Sequence, residues 1–247
     1  MPKLGSARAL VLALEKDLRA AGTAKRAEGS KAYLKSELDF AGVDVPTLRR
    51  AVKQLLASRP ELDRAQLLAL ARALWARPVF ELRAAAAELL AARAALLTPH
   101  DLPFLERLLR AAKTWALIDS LAPQVVGPLH VRAPRAVGPV LDRWARDPDF
   151  WVQRSALLVH LEPLRRGEGD WERFGRHADA LLESREFFVR KAIGWVLRER
   201  SKRKRREVFE WMLPRAQRMS GLTLREGSKY LAAGERARLF DARTSSS

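Results

Sequence analysis

The sequence predicts an all-α fold in which helix pairs repeat along the chain. Ala, Leu, Arg and Glu dominate the composition, and all four are good helix formers, whereas runs of alternating β-branched residues are missing. Pro and Gly recur at intervals that match single helices. A similar segment also returns every 35 to 37 residues. Together these observations predict about a dozen helices arranged as repeats.

Pro and Gly divide the chain into pieces of helical length. They stand at Gly42, Pro46, Pro60, Pro78, Pro99, Pro103, Pro123, Pro148 and Pro163. A Ser or Thr precedes several helical runs, as at Thr98 and Ser184, and these residue types are favoured at helix starts. We therefore expect the helices to begin and end near these positions.

The composition excludes several classes of protein. The 247 residues include no cysteine, so disulfide scaffolds, cysteine-based zinc sites and cysteine nucleophiles are ruled out. The four His are far apart in sequence without metal-ligand spacing, so we expect neither a metal nor a cofactor. With 48% hydrophobic residues the chain can bury a core. We expect a single domain over residues 1–243, with a disordered Ser-rich tail at 244–247.

The charge points to a polyanionic partner. Lys and Arg number 46 and Asp and Glu 29, which gives a net charge of +17 and favours nucleic acid. The alternative is a solvated basic surface that reflects Arg-rich and Ala-rich codon usage. The apolar N-terminal run breaks at Glu15, Lys16 and Asp17, and no stretch is long enough to span a membrane. We expect a cytoplasmic protein, associated with the nucleoid when bound to DNA.

Four segments align on an aromatic residue. They are PVFELRAAAAELL, KTWALIDSLAP, DFWVQRSALLVHL and EFFVRKAIGWVLR, aligned on Phe80, Trp115, Trp151 and Phe188. A period of this length with two helices in each unit is typical of α-solenoids of the HEAT type.

Basic residues recur three positions after the aligned aromatic. Arg83, Arg154 and Lys191 occupy this position in three of the four segments. Because a solenoid presents equivalent helices side by side, the three would form a positive stripe. The alternative is that each stabilises the repeat by reaching a neighbouring acidic group.

Two residues break the repeat pattern. Asp119 stands four positions after Trp115, where the other segments carry Ala or Ser, and it places a carboxylate among basic and aromatic residues. Such an Asp can be functional, or it can cap a neighbouring turn. Trp195 stands seven positions after Phe188, where the other segments carry a small or apolar residue, and it belongs either to this surface or to the core.

A basic run follows Trp195 directly. Residues 198–206, RERSKRKRR, include seven Lys or Arg in nine positions. The run either contacts phosphates or forms a solvated helix end that the helix dipole favours.

Four segments carry a resemblance to a known family. KTWALIDSLAP (113–123), DFWVQRSALLVHL (149–161), REFFVRKAIGWVLRE (185–199) and YLKSELDFAGVDVPTLRR (33–50) resemble the DNA alkylation repair family of AlkD-type glycosylases. The resemblance extends in order over residues 7–240. It implies a right-handed α-solenoid of about six HEAT-like helix-pair repeats with a basic concave groove.

The resemblance also implies an activity and a set of site residues. The expected protein is a monomeric, monofunctional glycosylase that hydrolyses the N-glycosidic bond of N3- or N7-alkylated purines in duplex DNA. Asp119 matches the catalytic carboxylate of the family, and Trp115 and Trp195 match tryptophans that contact the deoxyribose of the lesion. Arg154 matches an arginine at the DNA phosphates, and Tyr33 matches an aromatic near the lesion.

Four more basic residues are expected to bind DNA, and one position departs from the family. We expect Arg83, Lys191, Arg190 and Arg198 to contribute to DNA binding. Thr114 stands where relatives can carry a second aromatic residue, so the preference among substrates is open. The alternatives are a catalytically silent HEAT-like protein that binds distorted or branched DNA, and a protein-binding scaffold, which a charge of +17 fits poorly.

Overall fold

The computed structural model describes the backbone of residues 4–244 and the side chains from residue 7 onward. The expected all-α fold is confirmed, since these residues form helices and no β-strand. A single β-bridge joins Asp39 to Val79. No helix in this part of the chain is both long and apolar enough to cross a membrane.

The chain divides into two compact units, one ending at Leu121 and the other beginning at Ala122. In the first unit, 3₁₀ turns at Ala94–Leu96 and Pro99–Asp101 lead from the fifth helix to the sixth. The helices of this unit are α1 (Leu4–Ala21), α2 (Ala24–Leu34), α3 (Val45–Ala57), α4 (Arg64–Trp75), α5 (Phe80–Ala92), α6 (Leu102–Ala112) and α7 (Trp115–Leu121).

The second unit opens with a π-helical turn at Ala122–Val126 and includes a 3₁₀ turn at Leu213–Arg218. Its helices are α8 (Gly127–Arg132), α9 (Pro134–Trp144), α10 (Phe150–Leu158), α11 (Leu161–Arg165), α12 (Trp171–Leu181), α13 (Phe187–Met212), α14 (Gly221–Gly227) and α15 (Ala233–Thr244). Thr244, the first residue of the expected tail, ends α15, and residues 245–247 lie outside the described chain.

The second helix of each repeat begins at the aromatic residue that aligns the repeats, or one residue before it. These helices start at Phe80, Trp115, Phe150 and Phe187. Within the first unit α5 packs on α7, and within the second α10 packs on α13, so equivalent helices are neighbours. The helix-pair repeat read from the sequence is therefore present in each unit.

A recurring hydrogen bond defines the register of the repeats. In three of the four repeats, the side chain of the third residue after the helix start donates to the carbonyl six residues earlier, which closes the turn between the paired helices. Arg83 Nε donates to Arg77 O at 3.4 Å, Gln153 Nε2 to Asp147 O at 2.7 Å and Arg190 Nε to Ser184 O at 2.6 Å. Arg83 thus corresponds to Gln153 and Arg190. The predicted row of Arg83, Arg154 and Lys191 is out of register by one residue at its last two members.

The core of each unit consists mainly of large aliphatic side chains. In the first unit α4 and α5 pack together through leucines that include Leu67, Leu74, Leu82 and Leu89. In the second unit α13 packs against α10, α11, α12 and α14, with Trp144 and Phe174 among the fully buried side chains. The long helix α13 changes direction at Lys204, whose φ of −129° and ψ of 52° are not helical.

Candidate functional site

Tyr33 and Trp115 form an aromatic pair in the first unit. Their ring centroids are 5.8 Å apart and the ring planes are at 90°, the edge-to-face arrangement that aromatic quadrupoles favour. Tyr33 is 73% exposed and Trp115 is half-buried, so the pair presents an aromatic surface to solvent. The structure thus brings together two of the residues expected at the site.

Helix α2, which carries Tyr33, has no buried residue and is held through the loop that follows it. The backbone N–H groups of Ala41 and Gly42 donate to the buried carboxylate of Glu81, each at 2.8 Å. Gly42 in turn accepts a hydrogen bond from Thr23 N at 3.1 Å, at the start of α2. Gly42 has a φ of +77°, a conformation that favours glycine. Glu81 therefore fixes the loop against which α2 begins.

Asp119 lies on the same face of α7 as Trp115, because residues four apart on a helix are neighbours. The intervening Leu117 and Ile118 are buried and anchor the helix, whereas Asp119 and Trp115 are half-buried. Thr114, immediately before the helix, is 1% exposed. A carboxylate and an aromatic ring thus share one partly accessible helix face, and the position where relatives can carry another aromatic is occupied here by a small buried side chain.

Arg83 links α5 to the end of α6, just before the helix that carries Asp119. Its Nη1 donates to Ala111 O at 3.0 Å, and its guanidinium lies over the Trp75 ring at 5.5 Å from the centroid. Burial lowers the pKa of the guanidinium from its usual value. Its observed partners are backbone carbonyls rather than the acidic group that the alternative interpretation proposed.

Arg154 and Lys191 hold equivalent positions on α10 and α13 in the second unit but differ in exposure. Arg154 is 2% exposed, donates to Phe188 O at 2.5 Å and lies over the Phe188 ring at 5.8 Å. Lys191 is exposed, and its Nζ lies 5.7 Å from the centroid of the exposed Phe187 ring. Arg154 therefore supports the start of α13, while Lys191 is the more accessible cation.

Trp195 is half-buried on α13, and no aromatic ring of the described residues packs against it. Gly194 beside it allows α14 to approach closely, since a Cβ at this position would lie 2.6 Å from Glu226 Cβ. The contact with α14 fixes the rotation of α13 about its axis. Trp195 is thus held at the surface of the second unit rather than within its core.

The remaining expected DNA-binding residues are engaged in local contacts. Arg190 is half-buried, and its backbone carbonyl accepts a hydrogen bond from Thr223 Oγ1 at 3.2 Å. Arg198 forms a short ion pair with Glu226. Within the basic run, Arg200 pairs with Glu207, Lys202 with Glu199, Arg205 with Glu235 and Arg206 with Glu210. Carboxylates therefore neutralise much of the run.

Three of the four His meet in the interior of the second unit, a cluster that the sequence did not reveal. The His160 ring centroid lies 5.2 Å from that of His130 and 5.4 Å from that of His177. Burial lowers the pKa of all three, most strongly for His160, and His177 also contacts Asp142 at 2.8 Å. Within the described chain no group of three or more His, Asp or Glu is arranged to hold a metal ion.

A family model described as DNA alkylation repair enzyme matches residues 14–231. No curated protein matches the chain. A solved structure described as a predicted DNA alkylation repair enzyme from Enterococcus faecalis is similar at 25% identity with a TM-score of 0.76, over 86% of this chain and 97% of that one.

Two further structures share the fold at lower identity. AlkD2 from Streptococcus mutans is 17% identical with a TM-score of 0.65, over 92% of this chain and all of the other. The protein smu.31 from Streptococcus mutans UA159 is 15% identical with a TM-score of 0.58, over 97% of this chain and 98% of that one. The helical-repeat fold is thus common to all three structures.

Proposed function

This chain belongs to the DNA alkylation repair enzyme family, and we propose that it is a monofunctional DNA glycosylase. Its substrates are N3- and N7-alkylated purines in duplex DNA, and its product is an abasic site. It acts as a monomer on chromosomal DNA in the cytoplasm. The observation that carries the proposal is the shared face of α7, on which Asp119 lies one turn from Trp115, with the Tyr33 ring perpendicular to the Trp115 ring.

The chemistry of the substrate explains why one carboxylate suffices. Alkylation at N3 or N7 makes the purine cationic, so the base departs as a neutral molecule and needs no general acid. Ordinary glycoside hydrolysis differs, because it uses a second carboxyl group to protonate the leaving oxygen. Asp119 alone can stabilise the positive charge that grows on the deoxyribose and can orient or deprotonate the attacking water.

Trp115 complements the same transition state. The indole face of Trp115 can attract a cationic sugar by about 0.5–2 kcal/mol through cation–π contact. Trp195, in the second unit, is assigned a contact with the deoxyribose because the family resemblance implies it. The Tyr33 ring packs perpendicular to the Trp115 ring and so restricts the motion of that ring. The proposal thus assigns catalysis to Asp119 and positioning of the sugar to the tryptophans.

The basic residues divide between phosphate binding and support of the fold. Lys191 is exposed beside Phe187, so it can reach a phosphate without breaking a contact to a carboxylate. Arg154 orders the first turn of α13 through Phe188 O, and Arg83 orders the end of α6 through Ala111 O. We also assign Arg190 and Arg198 to DNA binding, in which Arg190 exchanges the Ser184 carbonyl, and Arg198 the Glu226 carboxylate, for a phosphate. No base-reading residue is identified, so little dependence on flanking sequence is expected.

The decisive experiment measures free base released from duplex DNA that carries 7-methylguanine or 3-methyladenine. Asp119→Asn removes the charge but keeps the shape, and we expect it to lower the release rate by about 10²–10⁴-fold with unchanged DNA affinity. Asp17→Asn is the matched control, because Asp17 is an exposed carboxylate on α1. It should keep the wild-type rate.

Two results would contradict the proposal. A release rate no higher than the spontaneous one, with DNA still bound, would favour the catalytically silent DNA-binding alternative. Wild-type activity in Asp119→Asn would show that this carboxylate is not catalytic.

A further inference from the structure

The positive charge of this protein is concentrated near its C-terminus. Residues 198–244 include 14 Lys or Arg and six Asp or Glu, a net charge of 14 − 6 = +8 out of the +17 of the whole chain. This segment spans the second half of α13, together with α14 and α15. Nearly half of the excess charge therefore lies outside the residues assigned to catalysis.

Ion pairs within this segment leave a surplus of cations. The carboxylate of Glu199 is shared among three of them: Lys202 Nζ lies 2.7 Å from Oε2, Arg165 Nε 3.1 Å from the same atom, and Arg198 Nε 3.5 Å from Oε1. Arg165 also pairs with Glu162 and Arg198 with Glu226, so the surplus comes from the net charge of +8 over the segment and not from this cluster. Among the described residues Lys229 forms no ion pair at all. The surface near Lys202 and Lys229 therefore stays positive.

An exposed tyrosine lies between these two lysines. Tyr230 occupies the turn that joins α14 to α15 and is 46% exposed. Lys202 Nζ lies 5.1 Å from its ring centroid and Lys229 Nζ 5.9 Å from it, both within cation–π range. Two ammonium groups beside one ring repel each other, and a bound anion would relieve that repulsion. We call Tyr230, Lys202 and Lys229 the Tyr230 patch.

We propose that the Tyr230 patch binds single-stranded DNA, separately from the residues that carry the proposed glycosylase function. The two lysines contact successive phosphates, and the exposed ring stacks on an unpaired base. Cationic side chains around an accessible aromatic ring are the combination that proteins use to bind single strands without sequence preference. A duplex offers phosphates but no unpaired base, so the aromatic ring specifies the single strand.

The experiment measures binding of a fluorescent, undamaged oligothymidine by anisotropy at several salt concentrations. Tyr230→Ala should weaken binding by about 5–150-fold, the range of losing one stacked base, and Tyr230→Phe should stay within about twofold of wild type. Lys202→Ala combined with Lys229→Ala should reduce the slope of log K against log salt by about 1.4, because each single-strand phosphate contact contributes about 0.7.

The matched control removes two charges elsewhere. Lys16 and Lys53 are exposed lysines of the first unit, and neither has a cation–π contact with a ring of the described residues. Their double alanine variant should keep the wild-type slope. Release of 7-methylguanine from duplex DNA is measured in the same variants and should be unchanged by Tyr230→Ala, which separates this proposal from the glycosylase assignment.

Three results would overturn the single-strand proposal. They are no binding of oligothymidine by the wild type, wild-type affinity in Tyr230→Ala, and an equal loss of affinity for a duplex of the same length in that variant. In each case Tyr230 would be no stacking platform for an unpaired base.

Discussion

The carboxylate of Glu81 accepts a hydrogen bond from the backbone N–H of Gly42 at 2.8 Å, and this bond links the core of the first unit to the loop behind α2. Glu81 is 3% exposed, and its other oxygen accepts from Ala41 N. A buried side chain 39 residues away in sequence therefore determines where the helix carrying Tyr33 begins.

Glu81→Gln should destabilise the protein by about 2–4 kcal/mol, because the amide nitrogen of Gln cannot accept from either N–H and leaves a buried donor unsatisfied. Urea unfolding measures this loss. Glu61→Gln is the control, since Glu61 is exposed and its variant should stay within about 0.5 kcal/mol of wild type. Equal stability of the two variants would mean that the loop does not depend on the carboxylate.

Tyr33→Ala should lower the rate of base release by about 2–10-fold, since Trp115 loses the edge contact that holds its ring. Tyr33→Phe keeps the ring and should retain the wild-type rate. Single-turnover release from DNA containing 7-methylguanine measures the effect. If Phe is as impaired as Ala, the phenolic hydroxyl rather than the ring contact is what matters.

Lys191→Ala and Arg154→Ala should affect different properties. Lys191 is exposed, so its loss should reduce the slope of log K against log salt for duplex binding by about one unit and leave stability unchanged. Arg154 is buried, so its loss should cost about 2–3 kcal/mol of stability, because Phe188 O loses a charged donor. Anisotropy titrations and urea unfolding of both variants test the distinction. An Arg154 variant with full stability and a reduced slope would show that Arg154 contacts the DNA phosphates instead.

The histidine cluster should make the stability of the protein sensitive to acid. Burial lowers the pKa of His130, His160 and His177 in the folded protein, although the hydrogen bond to Asp142 opposes the effect at His177. The unfolded chain therefore binds more protons below its own histidine pKa of about 6.5. The free energy of unfolding should keep its full value above that pH. At lower pH it should decrease, by up to about 1.4 kcal/mol per pH unit for each histidine.

Urea midpoints between pH 7.5 and 5.5 measure this dependence. His160→Leu removes the most strongly affected group and should flatten the pH profile, whereas His100→Gln, at an exposed position, should leave it as it is. A profile as steep in His160→Leu as in the wild type would place the acid sensitivity elsewhere, for instance in the ion pair of Asp142 with Arg173.

Local features were predictable from the sequence, and long-range partners were not. Helix propensity and the positions of Pro and Gly act over a few residues, so the all-α class and the helix starts near Phe80 and Trp115 follow from them. Asp119 departs from the repeat pattern, and this departure can be detected from the sequence alone. The register shift at Arg154 arises because Gln153 closes the turn before α10. An alignment of the repeats on their aromatic residues takes no account of Gln153.

The partners of buried polar groups lie far along the chain. Arg83 donates to a carbonyl 28 residues later, and Arg154 to one 34 residues later. His130, His160 and His177 are 30 and 17 residues apart and have no common spacing that marks them as neighbours. His130 lies on α8, His160 in the turn between α10 and α11, and His177 on α12, and only the tertiary structure of the second unit brings them together. Such contacts depend on tertiary structure and leave no short-range signal.

Helix α2 has no buried residue, so it can open while the rest of the first unit stays folded. Unfolding this helix alone exposes little apolar surface, so its free energy of opening is far below that of the α4–α5 core, and its amide hydrogens should exchange sooner. Tyr33 moves with α2, whereas Trp115 is fixed by the buried residues of α7. The position of Tyr33 can therefore change while the backbone that carries Trp115 stays in place.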